Sequence, residues 1–107
     1  MKSEKEITKA IRRYLNLIRI FHYKHWMGGN FSMIKGISDI IGVTRTGRFL
    51  AIEVKKEGWE PPKPTNKKEY AHYLDQKGFI DNVNNNNGLA FFASSLDEVI
   101  EKLKNIG

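Results

Sequence analysis

The chain has 107 residues, with 18 Lys and Arg against 12 Asp and Glu, a formal charge of +6 at neutral pH. That length bounds it to one domain with one modest core, residues 1–107. The absence of cysteine excludes a disulfide framework and thiolate metal sites. Its apolar runs are too short to span a bilayer, and the charged opening MKSEKE lacks a signal-peptide core. The expected location is the cytoplasm. The basic balance favours a polyanionic partner, nucleic acid first.

Ser3 and Glu6 have capping-box spacing. Behind them Ile7, Ala10, Ile11, Tyr14, Leu15 and Ile18 form a helical stripe, so a first helix is expected from Ser3 to about Arg19. Ile20 to Trp26 is aromatic and β-branched and reads as a strand. Met27 to Lys35, with Gly28, Gly29 and Asn30, reads as a loop. Asp39–Thr44 and Arg48–Lys55 read as a hairpin around Arg45-Thr46-Gly47, with Gly47 at the positive-φ position.

All three prolines fall in the segment Glu57–Asn66, which is therefore neither helix nor central strand. Thr65 or Asn66 can cap a second helix over about Lys67–Asn85, with Asn87-Gly88 as its stop. Leu89–Ala93 reads as a short apolar strand. Ser95 or Asp97 can cap a last helix reaching about Asn105. The order is α-β-β-β-α-β-α: a three-strand meander, then a crossover helix and a fourth strand. That is an α/β fold with a mixed four-stranded sheet flanked by helices.

One feature of the hairpin is at odds with ordinary burial. In a strand, residues i and i+2 share a face, so Glu53 and Lys55 project together, ~6.6 Å apart at the usual rise. Ile52 and Val54 point the other way, into the core. With the turn at 45–47, residues whose numbers sum to about 92 face each other, which sets Asp39 opposite Glu53. Facing carboxylates repel. A divalent cation between them removes the repulsion, and Mg²⁺ suits one or two carboxylates plus waters and phosphate. Lys55 beside it is suited to orient a water and stabilise charge on a phosphate. The plainer alternative is a solvated ion pair on a half-exposed strand.

Gly36-x-Ser38-Asp39, the hairpin, and Ile52-Glu53-Val54-Lys55 resemble the PD-(D/E)xK nuclease motif. Across nearly the whole chain the ordered elements resemble its VRR-NUC branch, the virus-type replication and repair nucleases. The resemblance implies a restriction-endonuclease-like αβββαβα core and a metal-dependent DNA phosphodiesterase. It implies Mg²⁺, with Mn²⁺ able to substitute, held by Asp39, Glu53 and the Val54 carbonyl, with Lys55 as the catalytic lysine. A first-helix acid often joins such sites. Glu4 shares the stripe of Ile7 and Ile11 and is preferred, whereas Glu6 can serve simply as the partner of Ser3. A glutamine on the following helix maps to Gln76, although the long proline segment separates it from Lys55. Ser38 stands where the family usually has proline.

The resemblance further implies a structure-specific endonuclease acting on Holliday junctions or other branched DNA as a homodimer, with a repair or phage context. The rival reading is a non-catalytic nucleic-acid-binding module with a nuclease-like fold, or one subunit of a larger repair complex. Arg12, Arg13, Arg19, Lys24, Lys35, Arg45, Lys56, Lys63, Lys67 and Lys68 are candidates for phosphate contacts. His22, His25 and His72 show no metal-ligand spacing. Trp59 can stack on DNA, cover the core or join a dimer interface, with core cover the default.

Overall fold

The computed structural model describes residues 1–25 and 34–104. Trp26 at the end of the expected first strand, most of the Met27–Lys35 loop and Asn105 lie outside the described residues.

Helix α1 spans Glu4–Leu17. The capping box forms as the sequence suggests. The Ser3 Oγ accepts from the Glu6 N–H at 3.2 Å, and the Glu6 carboxylate reaches back to the Ser3 N–H at 3.5 Å. Strands β1 (His22–Lys24), β2 (Ile40–Val43) and β3 (Phe49–Val54) form the meander. Helix α2 (Lys67–Asn85) crosses over to β4 (Leu89–Ala93), and α3 (Leu96–Lys104) closes the described chain. The sheet order is β1-β2-β3-β4, antiparallel except for the β3–β4 pair.

The central strand β3 is covered on both faces. Leu50, Ile52 and Val54 pack with Ile7, Ile11 and Leu15 of α1 and Val99 of α3. Ala51 packs with Ile41, Ala90 and Ile80 of α2. Burying each large aliphatic side chain of this kind contributes roughly 1.5–3 kcal/mol, so the two helical layers hold β3 as the spine.

Several expected details shift. The first strand is only three residues, because α1 ends in a turn with Arg19 at φ 60 before the chain enters the sheet. Asn66 occupies the cap position of α2, but its side chain makes no capping bond and donates to Glu69 instead, at 2.9 Å. At the other end Asn87, not Gly88, takes the left-handed position, with φ 66. Gly88 is needed for space: a Cβ there would sit 2.9 Å from the Phe49 carbonyl oxygen. Ser95, not Asp97, caps α3, accepting from the Glu98 N–H at 3.2 Å.

Gly36 does more for the site. Its φ is +74, and a Cβ would run into the Asp75 carbonyl and lie 2.6 Å from the Gln76 nitrogen. The approach to Asp39 is thereby pressed onto the backbone of α2. Gly36→Ala is expected to cost about 2–5 kcal/mol, from clash plus left-handed strain. Gly47→Ala, at φ +84 in open space, is expected to cost only about 1 kcal/mol. Urea unfolding of the two variants measures the difference.

Candidate functional site

The β2–β3 register pairs Ile40 with Ile52 and Ile41 with Ala51. One step further along the same ladder lies Asp39 against Glu53, the juxtaposition expected from the hairpin turn. Asp39 is held from both neighbouring strands. Its main-chain carbonyl accepts from the His25 N–H at 2.6 Å, and its carboxylate accepts from the Val54 N–H at 2.8 Å. Glu53 is 4% exposed.

Burial pushes the Glu53 carboxyl from its ordinary 4.5 up to about 9. The next causes are the charge of Asp39 and a side-chain hydrogen bond to it; Lys55 opposes the rise and Glu4 adds to it. Without a cation, burial and the neighbouring Asp39 charge therefore favour the neutral form of Glu53.

Lys55 leaves the strand on the same face as Glu53. Its Nζ donates to the Gln76 Oε1 at 2.8 Å. Gln76 is buried, and its Nε2 lies 3.3 Å from the His72 Nε2, one helical turn earlier. The long proline segment does not keep Lys55 and Gln76 apart. Trp59 folds back instead, stacking on Phe92 with ring centroids 5.0 Å apart. The Lys55 Nζ lies 5.3 Å from the Trp59 ring centroid and 5.9 Å from that of Phe92. Trp59, Tyr73, His72, Gln76 and Lys55 line a cleft of about 630 Å³. Trp59 thus covers the lysine and its aromatic neighbours.

The Val54 carbonyl also points away from β4. The Lys55 N–H is bonded to the Ala93 carbonyl of β4 at 2.8 Å. In a trans peptide the C=O points opposite to the N–H, so the Val54 oxygen faces the β2 side, where Asp39 lies.

Glu4 does not turn inward as the stripe suggests; it is exposed. It occupies the first residue of α1, beyond the last apolar contact at Ile7, yet its charge is felt by Glu53. A bond from the Glu57 N–H to the Lys2 carbonyl, at 3.2 Å, ties this end of α1 to the segment following β3. Glu6 is the capping partner.

Among the described residues, no three His, Cys, Asp or Glu side chains form a ready metal cage. The donor set is two paired carboxylates and a backbone carbonyl. That all-oxygen set fits Mg²⁺, which completes its shell with water and phosphate, and a dication would offset the burial cost and the Asp39 charge that together favour protonated Glu53. His22 is engaged otherwise, its Nδ1 lying 2.9 Å from the Ile20 carbonyl.

His72 joins the site through Gln76 rather than as a metal ligand. The i, i+4 spacing of His72 and Gln76 on one helix carried that signal. Arg45, one of the candidates for phosphate contact, hydrogen-bonds to the Ile18 carbonyl at the end of α1.

No protein-family model and no curated protein matches the sequence. Solved structures do match its fold. One, described as a VRR_NUC domain, superposes with a TM-score of 0.66 at 17% identity over 100% of both chains. A second, a VRR_NUC domain protein, gives 0.65 at 19% identity over 95% of this chain and 85% of the other. The chain has the VRR_NUC fold, with the expected αβββαβα order.

The Glu53 shift has a consequence for stability. The folded chain holds the Glu53 proton up to about pH 9, but the unfolded chain loses it near 4.5. Stability of the metal-free protein is therefore expected to fall as pH rises through that window. Glu53→Gln is expected to flatten the fall and to raise stability at pH 8, measured by thermal melting in chelator.

Proposed function

We propose that the protein is a Mg²⁺-dependent endonuclease that hydrolyses DNA phosphodiester bonds. The observation that carries this is the facing Asp39–Glu53 pair with Lys55 on the same face of the strand. Asp39, Glu53 and the Val54 carbonyl would hold the ion, with Mn²⁺ able to substitute. When bound, the ion polarises a phosphate oxygen and lowers the pKa of a bound water. Glu4 is exposed, and its charge acts on Glu53.

The protein's own groups do the rest. The Lys55 ammonium orients the water and stabilises negative charge building on the phosphate. Gln76 is a positioning residue: it accepts from Lys55 and keeps the ammonium on the site. The aromatic cover of Trp59 and Phe92 limits where that ammonium can go.

The finer reading is a structure-specific enzyme acting on Holliday junctions or other branched DNA. Two nicks across a four-way junction call for paired sites, which a symmetric homodimer supplies. The sequence resemblance and the shared fold support this reading.

The test is cleavage of labelled four-way junction, flap and linear duplex with Mg²⁺ or Mn²⁺. Asp39→Asn and Lys55→Met are each expected to lose on the order of 100-fold or more in rate while still binding DNA. Gln76→Leu, acting through Lys55, is expected to lose about 10-fold. Undiminished cleavage by Asp39→Asn would remove the nuclease reading, and equal cleavage of all three DNAs would remove the branched-DNA preference.

A further inference from the structure

Away from the carboxylates, the outer side of α1 and the edge strand β1 enclose a groove of about 800 Å³. Its charged lining is Lys5, Lys9, Arg12, Arg13 and Lys24, and no described acidic side chain lines it. Among the described residues none of the five is ion-paired. The Nε of Arg12 is buried and, among those residues, has no hydrogen-bond partner. Lys5, Lys9 and Arg13 follow at i, i+4 spacing, where like charges on a helix repel. The fold thus collects repelling cations in one concavity, with no ion-pair partner among the described residues.

We infer that this groove seats the sugar–phosphate backbone of one strand of a DNA duplex arm. From Lys5 to Asn16 the helix rises about 17 Å. Its four cations fall between Lys5 and Arg13, about 12 Å of that rise, with Lys24 beside them on β1, a span long enough to meet more than one phosphate of a strand. The groove shares no lining residue with the carboxylate site, and α1 packs on the face of β3 opposite to the one that carries Lys55 toward Gln76. The binding surface rests on its own charge and does not depend on the nuclease reading. Phosphate contacts of this kind fix register and carry no base preference.

The test is fluorescence anisotropy of a labelled DNA duplex in EDTA across a KCl series, which involves no chemistry. Lys9→Gln/Arg13→Gln is expected to lower the slope of log affinity against log salt by about two, one per contact. Arg12→Gln is expected to lower it by about one. Lys102→Gln/Lys104→Gln on α3 is expected to leave it unchanged. Circular dichroism melting checks that each variant is folded. An unchanged slope in folded groove variants would overturn the inference. So would absence of duplex binding by the unmodified protein, or stronger competition by an RNA helix of the same length. A groove-dependent slope in a protein that cleaves nothing would instead uphold the groove and remove the nuclease reading.

Discussion

A carboxylate stands on a strand buried from both sides. β3 is the spine of the sheet, packed by α1 and α3 on one face and by α2 on the other. Every residue from Leu50 to Val54 is buried, and Glu53 is among them. An isolated buried charge is expensive, so the group neutralises or acquires a counter-charge. The Glu53 carboxyl, raised to about 9, shows the first outcome. Its pairing with Asp39 across the ladder prepares the second.

The surroundings are arranged around that conflict. Asp39 cannot swing away, because β1 holds its carbonyl and β3 holds its carboxylate. Gly36 lets the chain enter β2 tight against α2, beside Gln76. Gln76 in turn fixes Lys55, and Trp59 and Phe92 flank the same ammonium. A polar group in an otherwise apolar layer is the sort of local rule-breaking that concentrates at functional sites. The α1–β1 groove gathers charge of the opposite sign on another part of the fold.

Much of this was legible in the sequence because it depends on short-range order. Ser3 and Glu6 are three residues apart, and the box they form is local. The 45–47 turn fixed the hairpin register, which set Asp39 against Glu53 with no knowledge of the rest. The limits of α2 and β4 followed from the Pro-rich segment and from Gly88. What depends on packing was harder to read. Glu4 lies on the apolar stripe but past its last core contact, so periodicity placed it inside and the fold leaves it outside. The proline segment looked like a separation between Lys55 and Gln76. Loop length does not set the distance between anchored ends, and β3 and α2 meet regardless. The cation groove joins α1 to Lys24 of a strand that follows it, a proximity that helical spacing alone does not encode.

The central claim is that the Asp39–Glu53 pair exists to take a divalent cation. Titration calorimetry of Mg²⁺ or Mn²⁺ at pH 7, in buffers of different ionisation heat, tests it without DNA. Because Glu53 holds its proton to about pH 9 in the metal-free protein, binding is expected to release about one proton per ion. That release is expected to disappear in Glu53→Gln. An absence of binding, or binding whose heat is the same in every buffer, would contradict the account.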